Sequence, residues 1–488
     1  MKSKKCLKYF FSYFLIILSV FELEASQPNF IIIFADDLGY GDLSCYGSKT
    51  NNTINLDRMA KEGIMHTDFY ATSSVCSPSR ASILTGRYPS RAGYPYASGG
   101  VYSDLGLQKS EVTIAEALKS KGYNTAFVGK HHLGIPQGFD YQTQEGFNDK
   151  SDFHPLNQGF DEFFGVAGNP HPDGSFIVQE GNNVKYRDKH YIQLTDLYLE
   201  WVQNYLKKES SPFFIYIAQD LVHAPWMVHP RFSGTSKAGT YGDMVHHLDW
   251  FVGELLNTLE KEGLSDNTLV VFTSDNGAGG NVGGSNAPFR GQKGTTWEGG
   301  MRVPGIFWWP GVLPSQKVIS GEINTIMDLF PTFVALADAN IDNNTVIDGK
   351  NIWPLLTGNK SDYDPYDSFY YYNGLNLQAV RVDEWKLILP RREEMLVWWE
   401  SGLRELDKPM LIDLSKDKSE SVDLSSQYPE IVSQLLNKAT EARRDLGSWN
   451  KKGIYQKSID HLLDDRVGLR HLRKQQNHIN MGKKRHED

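Results

Sequence analysis

Cysteine is scarce in this chain of 488 residues, which contains only Cys6, Cys45 and Cys76. A framework of several disulfides, of the kind that stabilises small secreted proteins, is therefore excluded. Cys6 lies in an amino-terminal segment with the pattern of a signal peptide, so two cysteines would remain after cleavage. An exported protein could pair these two. The alternative, which the sequence around Cys76 favours, is that Cys76 is modified and Cys45 is a small buried residue.

A surplus of positive charge is also missing, since 59 Asp and Glu residues outnumber 50 Lys and Arg residues. Cleavage after residue 25 would remove four Lys and two Glu and change the formal net charge from −9 to −11. A net acidic surface argues against nucleic acid as the main partner. It would also repel a polyanion at long range, so any site for an anionic substrate must be locally positive.

Long apolar stretches are the third absence. Residues 9–21 are apolar but too few to form an ordinary spanning helix, and no later stretch is long enough. Four lysines precede residues 9–21, and this arrangement is typical of a signal peptide that covers residues 1–25. We therefore expect an exported protein, either periplasmic or secreted, without a membrane span.

Four stretches predict strands of a sheet, namely residues 29–34, 123–128, 212–218 and 269–273. The first, third and fourth are apolar runs, which indicate strands buried on both faces. An apolar stripe at helical spacing in residues 243–262 predicts a long helix packed on the core. Beyond residue 364 the apolar stretches become short and alternating, and residues 428–446 have the pattern of a helix.

Helix caps can also be predicted from the sequence. Thr113 and Glu116 have the spacing of a capping box. Asn55 is the predicted cap of a second helix, which should end at Gly63.

Oxygen-bearing side chains follow two of the predicted strands. Asp36 and Asp37 come directly after the first strand, and Asp275 and Asn276 come after the last. Adjacent carboxylates repel each other unless a cation lies between them, and hard oxygen ligands suit calcium or magnesium. Each pair taken alone is more often a solvated turn. Because ligands in open α/β sheets bind beyond the carboxyl ends of the strands, the two pairs together favour a metal site.

Basic residues follow the other two strands. Lys130 and His132 alternate, so on an extended segment they face the same side, and His223 follows the third strand. Lys offers charge to an anion, and His can transfer a proton near neutral pH. A lone Lys or His is more often simply solvated. His171 lies in a predicted loop, where contact with a substrate and an ordinary surface position fit equally well.

A Cys-x-Pro-x-Arg pattern occupies residues 76–80. Pro78 suits the first turn of a helix, and Gly86 can end that helix. Cys76 would then lie at a helix amino terminus, which favours an anion, and Arg80 adds a positive charge one turn later. Taken alone, the pattern is equally consistent with a cysteine of lowered pKa or with a chance match.

Together these motifs resemble the signatures of the type I, formylglycine-dependent sulfatases, over about residues 28–423. Within that family the resemblance is greatest to the branch of arylsulfatase A and N-acetylgalactosamine-6-sulfatase. The matching segments are Asp36–Asp37, residues 76–80, Gly-Lys-x-His-Leu-Gly at 129–134, His-x-Pro at 223–225, Asp275–Asn276 and the block 284–300 with Lys293.

The resemblance implies an α/β fold like that of alkaline phosphatase. A large mixed sheet would be sandwiched by helices, with a smaller carboxyl-terminal antiparallel sheet and a helix. The catalytic domain would occupy residues 26–364 and the α+β subdomain residues 365–450. Residues 451–488, which are rich in Lys and Arg, would form a partly ordered basic tail.

The resemblance also implies the chemistry. A maturation enzyme would oxidise Cys76 to formylglycine (3-oxoalanine), whose hydrate attacks sulfur, and Arg80 would steady that group. Lys130 and Lys293 would bind sulfate oxygens, and His132 would take a proton as the aldehyde forms again. His223 would protonate the leaving oxygen, and His171 would contact the substrate. Calcium would be held by Asp36, Asp37, the modified Cys76, Asp275 and Asn276.

Sulfated carbohydrates of the galactose or N-acetylgalactosamine type are the substrates that the resemblance favours, either oligosaccharides or polysaccharides. Trp226, Trp398, Arg391 and Arg392 are candidates for lining the sugar subsites. Two alternatives remain open from sequence. One is a phosphonate or phosphate ester hydrolase of the same superfamily, and the other is an inactive sulfate-binding protein.

Overall fold

The computed structural model describes residues 27–97, 106–134, 147, 151–169, 173–209, 212–279, 283–342, 344–359, 362–391, 406–448 and 451–457. The predicted signal peptide, most of the predicted tail, His171, Arg392 and Trp398 lie outside these ranges, so the predictions made for them stay predictions. Within these ranges, no helix is long and apolar enough to cross a membrane.

Sixteen strands are present in the described residues. They are β1 (Asn29–Ala35), β2 (Ile64–His66), β3 (Phe69–Tyr70), β4 (Asn124–Lys130), β5 (Glu162–Val166), β6 (Ser175–Glu180), β7 (Asn183–His190), β8 (Phe213–Ala218), β9 (Thr268–Ser274), β10 (Gly305–Trp308), β11 (Lys317–Ile319), β12 (Asn324–Thr325), β13 (Phe369–Asn373), β14 (Asn376–Val382), β15 (Trp385–Ile388) and β16 (Met410–Asp413).

Nine α-helices are present in the same residues. They are α1 (Ile54–Glu62), α2 (Cys76–Thr85), α3 (Ile114–Lys119), α4 (Tyr191–Leu206), α5 (Gly239–Lys261), α6 (Glu298–Met301), α7 (Leu329–Leu336), α8 (Trp353–Thr357) and α9 (Pro429–Leu446).

Ten strands form one mixed sheet, in the order β11-β2-β10-β9-β1-β8-β4-β5-β6-β7. The five central strands, β9 to β5 in that order, are parallel. Strands β10, β6 and β7 add antiparallel pairs at the two sides. The four predicted strands are β1, β4, β8 and β9, so the sheet confirms the prediction from these stretches.

Strand β1 shows why these stretches have no polar face. Phe30, Ile32 and Phe34 pack into one core cluster with α2, α3, α7 and α8. Ile31 and Ile33 point to the opposite face and pack with α1, α4 and α5. Alternate side chains of a strand point to opposite faces, so a strand covered by helices on both sides must be apolar throughout. The predicted α/β sandwich is confirmed.

Of the two predicted helix caps, the capping box of α3 is confirmed and the Asn55 cap of α1 is wrong. The capping box of α3 is present, because Thr113 Oγ1 accepts a hydrogen bond from Glu116 N, and Glu116 Oε2 accepts one from Thr113 N. Asn55 does not cap α1, which begins at Ile54 and whose N-cap makes no side-chain hydrogen bond. Asp249 of α5 instead accepts hydrogen bonds from the backbone N–H groups at the start of α1. A carboxylate from a distant helix thus satisfies donors that a local side chain was expected to satisfy.

Strands β13 to β16 form a separate antiparallel sheet, on which α9 packs, and this confirms the predicted carboxyl-terminal unit. Its core cluster also includes Tyr70, Trp297 and Met327 from the preceding part of the chain. Buried Arg91 pairs with Asp348 and with Asp445 of α9. The two units therefore share a core, and the boundary at residue 364 stays a prediction.

Candidate active site

The carboxyl ends of four parallel strands bring the predicted site residues together. Asp36 follows β1, Lys130 ends β4, His223 lies beyond the end of β8, and Asp275 follows β9. Because these strands are neighbours and parallel, their ends meet at one edge of the sheet. Helix α2 places Cys76 and Arg80 at the same edge, where Arg80 pairs with Asp36 and Asp275.

Asp36 is a fully buried carboxylate of the site. Its Oδ2 lies 2.5 Å from Lys130 Nζ and 3.4 Å from Arg80 Nη2. Burial alone would raise the pKa of Asp36, but the charge of Lys130, followed by those of His223 and Arg80, holds it well below its usual value. Asp36 is therefore ionised and paired.

Asp275 is buried beside Asp36 but has a different charge balance. Its Oδ2 lies 2.9 Å from Arg80 Nη2. Burial and the repulsion from Asp36 outweigh this pairing and raise the pKa of Asp275 to about 8. A cation close to both carboxylates would offset this repulsion and lower the pKa of Asp275.

Asp37 completes the acidic cluster in a left-handed backbone conformation, with φ of 60°. Its carboxylate lies 2.6 Å from Lys293 Nζ, and Asn276 Nδ2 donates to it over 2.8 Å. Its backbone N–H donates to Asp275 Oδ1 over 3.1 Å. Four of the five predicted metal ligands, Asp36, Asp37, Asp275 and Asn276, thus form one connected group with Arg80 and Lys293.

Two buried oxygen atoms in this group have no hydrogen-bond partner among the described residues. They are Asp36 Oδ1 and Asn276 Oδ1. Such atoms are costly unless something satisfies them. Asp36, Cys76 and Asp275 also offer ligand atoms within 4.8 Å of one another, as do Asp36, Asp37 and His223. A donor set dominated by oxygen, with two orphaned oxygens, fits a hard divalent cation such as calcium.

Cys76 is the first residue of α2 and is 5% exposed. Burial raises the pKa of its thiol, although the charges of Lys293 and Lys130 act in the opposite direction. The interpretation of Cys76 as a cysteine of lowered pKa is therefore wrong in this environment. Cys45 and Cys76 are both free, so the predicted alternative of a disulfide between them is also wrong. Cys45 is half-buried rather than fully buried.

Arg80 is fully buried one turn beyond Cys76 in α2. Its Nη2 pairs with Asp275, and its Nη1 donates to the backbone O of Lys130 over 3.1 Å. One guanidinium group therefore connects three of the four strand ends with α2.

His132 and His223 are both subject to the positive charge of Lys130. His223 Nδ1 lies 2.7 Å from its acceptor, Ala224 O, which leaves Nε2 as the free ring nitrogen, 3.8 Å from Asp37 Oδ2. Burial and the charge of Lys130 lower the pKa of His223 to about 4. His132 is buried in a left-handed conformation, and its pKa is also lowered by burial. Both rings are neutral at pH 7 in the absence of a ligand.

Three other residues are not part of this group. His131 packs against the rings of Phe127 and Phe147. His229 lies beside His247. Arg391 is 5% exposed and lies over the Trp297 ring, so it is a buried packing residue rather than part of an open subsite.

Sequence reasoning missed one buried acid at this edge. Asp220 lies just beyond the end of β8 and accepts a hydrogen bond from Tyr198 over 2.7 Å. Burial raises the pKa of Asp220 to about 7, against the opposing charge of Lys130. The same strand-end rule that selected Asp36 would have found it.

Comparisons with known proteins agree with this geometry. The family profile described as Sulfatase matches residues 28–339, and the profile described as C-terminal region of aryl-sulfatase matches residues 364–460. N-acetylgalactosamine-6-sulfatase of Rattus norvegicus is 39% identical over 475 residues, which cover 86% of each chain. Steryl-sulfatase of Mus musculus is 36% identical over 72% of this chain and 69% of its own.

A solved structure is similar over nearly the whole length. The crystal structure of Ps i-CgsB in complex with k-i-k-neocarrahexaose superimposes with a TM-score of 0.74 at 28% identity, over 90% of this chain and 96% of that one. From the matching profiles, the relatives and the geometry of the site together, we conclude that this chain belongs to the sulfatase family of sulfuric ester hydrolases.

Proposed function

We propose that this sulfatase hydrolyses sulfate esters on carbohydrates of the galactose or N-acetylgalactosamine type, with a formylglycine made from Cys76 and with bound calcium. One observation carries the proposal. Cys76 lies at the start of α2, beside the carboxylates of Asp36 and Asp275 and close to the ammonium groups of Lys130 and Lys293. Two buried oxygens of this group, Asp36 Oδ1 and Asn276 Oδ1, have no hydrogen-bond partner among the described residues. This group can hold a cation, a nucleophile and an anionic ester together.

Calcium would be held by Asp36, Asp37, Asp275, Asn276 and the modified Cys76, and when bound it supplies positive charge that offsets the repulsion among these groups. Formylglycine, once formed, supplies a hydrated aldehyde oxygen as the nucleophile for sulfur. Arg80 orients the carboxylates of Asp36 and Asp275, because it forms an ion pair with each.

Lys130 and Lys293 supply the charge that binds the sulfate group. Each ammonium pairs with one carboxylate, Lys130 with Asp36 and Lys293 with Asp37. With these carboxylates holding calcium, the N–H donors of Lys130 and Lys293 would be available to sulfate oxygens. The substrate site would then be locally positive, although the chain as a whole carries a negative net charge that repels anions.

His223 would protonate the leaving sugar oxygen. Its Nδ1–H is committed to Ala224 O, so Nε2 is the atom that would hold the transferred proton. The ring is neutral in the free site because burial and Lys130 lower its pKa. A bound sulfate ester adds negative charge that offsets Lys130 and favours protonation. His132 would take a proton as the aldehyde forms again and sulfate leaves.

The carbohydrate class is supported by two kinds of observation. A relative is named for N-acetylgalactosamine 6-sulfate, and a structural neighbour was crystallised with neocarrahexaose. Trp226, three residues after His223, is 43% exposed and could stack on a sugar ring. The similarity to steryl-sulfatase makes a sterol sulfate the competing substrate. His171 stays a proposed substrate contact.

The cellular context is also proposed. The segment at residues 1–25 supports export to the periplasm or the medium, where the enzyme would act in polysaccharide degradation. A formylglycine-generating maturation enzyme would be a necessary partner, because the unmodified Cys76 thiol is buried and of raised pKa.

A substrate screen tests the proposal. The matured enzyme is incubated with sulfated galactans, glycosaminoglycan fragments, monosaccharide sulfates, a steroid sulfate, an aryl sulfate and an aryl phosphodiester, and released sulfate or phenol is measured. We expect sulfate release from at least one galactose-type glycan. Turnover of only the steroid sulfate would overturn the carbohydrate assignment. Faster turnover of the phosphodiester than of every sulfate would overturn the assignment of a sulfate ester as the substrate.

A further inference from the structure

The loop that carries Lys293 is held from two sides. On the side of the active site, Lys293 N donates to Ala278 O over 3.0 Å, and Gly294 N donates to Ser74 O over 2.8 Å. On the other side, residues 296–298 contact the carboxyl-terminal sheet. The position of the Lys293 ammonium group thus depends on contacts made three to five residues further along the chain.

Lys386 of β15 is the first of these contacts. It is fully buried, and its Nζ donates to Thr296 O and to Glu298 Oε1, each over 2.9 Å. It also lies 2.8 Å from Glu420 Oε1. One ammonium group therefore contacts the backbone of the loop and two buried carboxylates, and its three N–H donors can all be used.

Glu420 is the second contact, and it bridges both ends of the loop. Its Oε2 accepts a hydrogen bond from Glu298 N over 2.7 Å, and its backbone O accepts one from Arg290 Nη1 over 3.0 Å. The guanidinium group of Arg290 lies 3.8 Å from the centre of the Trp297 ring. Glu420, which is distant in sequence, thus links residues 290 and 298 through hydrogen bonds to both.

We propose that Lys386 and Glu420 are positioning residues, which fix the loop of residues 290–298 and thereby hold the Lys293 ammonium group at the sulfate site beside Asp37. The inference rests on the proposed function, in which Lys293 binds the sulfate of the substrate. Fully buried ion pairs add little net stability, because desolvation offsets their attraction. What such a cluster determines here is the geometry of the loop.

The charges of the cluster decide which substitution is informative. Burial alone would raise the pKa of Glu298, but Lys386, Arg302 and Arg381 outweigh burial and lower it to about 2. Burial raises the pKa of Glu420 to about 7, although Lys386 acts in the opposite direction. Glu298 is therefore the permanent counter-ion of Lys386. The variant Glu420→Gln resembles the protonated form of Glu420, and we expect it to fold.

A double-mutant cycle on the full, matured chain tests the inference. The affinity for inorganic sulfate is measured by calorimetry for the wild type, Glu420→Gln, Lys293→Ala and the double variant. We expect Glu420→Gln to weaken sulfate binding about tenfold when Lys293 is present, and by less than about twofold when Lys293 is replaced. KM for an aryl sulfate should rise with kcat largely retained. Lys386→Arg, which keeps the charge, should retain most of the affinity.

Asp445→Asn serves as the matched control, because it removes an ion pair with Arg91 in the same carboxyl-terminal unit, away from residues 290–298. It should lower the free energy of unfolding without changing sulfate affinity.

Equal losses of sulfate affinity caused by Glu420→Gln, with Lys293 present and with Lys293 replaced, would overturn the inference. If Glu420→Gln does not fold, Arg290→Ala, which removes the hydrogen bond to Glu420 O, takes its place in the same cycle, and additivity with Lys293→Ala overturns the inference there too. A wild type that binds sulfate with this coupling but cleaves no ester would instead refute only the proposed function.

Discussion

Asn276 donates a hydrogen bond from Nδ2 to Asp37 Oδ1 over 2.8 Å. Because the amide nitrogen makes this bond, the amide oxygen is the atom of Asn276 that remains available to a ligand. The remaining atom, Asn276 Oδ1, is buried and has no hydrogen-bond partner among the described residues. Asp36 Oδ1 is in the same situation. Two adjacent strand ends thus each offer one unsatisfied oxygen, which is the arrangement that a hard cation requires.

Calcium should therefore stabilise the folded protein. Free calcium at 100 times its Kd would raise the free energy of unfolding by about 2.7 kcal/mol, and chelation should abolish turnover. Thermal unfolding measured across a calcium titration would show this increase for the wild type and not for Asp36→Asn. Asp364→Asn, which removes a largely exposed carboxylate, is the control and should respond as the wild type does. An enzyme that keeps its activity after exhaustive chelation and contains zinc would contradict the ligand assignment.

Cys76→Ala should abolish sulfate release and leave the fold intact, because the proposed nucleophile is made from this side chain. The control is Cys45→Ala, which removes the other described cysteine, and it should keep activity near the wild-type level. Mass spectrometry of the peptide that contains residue 76 should find the aldehyde in the matured wild type and in Cys45→Ala. Turnover by Cys76→Ala would refute the mechanism.

His223→Gln should slow the cleavage of an alkyl or sugar sulfate by about 10²–10⁴-fold, the usual contribution of a general acid. The loss should be far smaller for 4-nitrophenyl sulfate, because its leaving group needs no proton. His229→Gln is the matched control, since His229 lies beside His247, away from Asp37. Equal losses of kcat with both leaving groups would assign His223 a role other than proton donation.

His66 should make the fold sensitive to acid. Burial lowers the pKa of His66 from 6.5 to about 4, despite its hydrogen bond with Asn324. Between these two values the unfolded chain binds a proton that the folded chain does not, so stability falls as pH decreases from 6.5 to about 4. At pH 5 the loss from His66 is about 2 kcal/mol. His66→Gln, which can still donate to Asn324, should reduce the dependence of the unfolding free energy on pH. An unchanged slope would show that His66 is protonated in the folded state.

Much of the fold follows from local patterns in the sequence. Continuous apolar stretches identified β1, β8 and β9, because a strand covered by helices on both faces has few polar positions. The polar residues that directly follow such a strand must lie at the edge of the sheet, so the sequence was sufficient to assign Asp36, Lys130 and Asp275 to one site. The motif around Cys76 then identified the family.

Other features depend on which surfaces meet after folding. Asp249 caps α1 across the packed helices, Arg391 is buried against Trp297, and Lys386 and Glu420 hold the loop of Lys293. None of these pairs has a fixed spacing along the chain. Periodicity and local motifs report how a segment is buried, whereas contacts between distant segments are set by the packing of whole layers. The sequence by itself determined the strands, their end residues and the family chemistry. The tertiary structure alone decided which buried charges pair and which oxygens stay free for a cation, because those outcomes depend on distances that only packing creates.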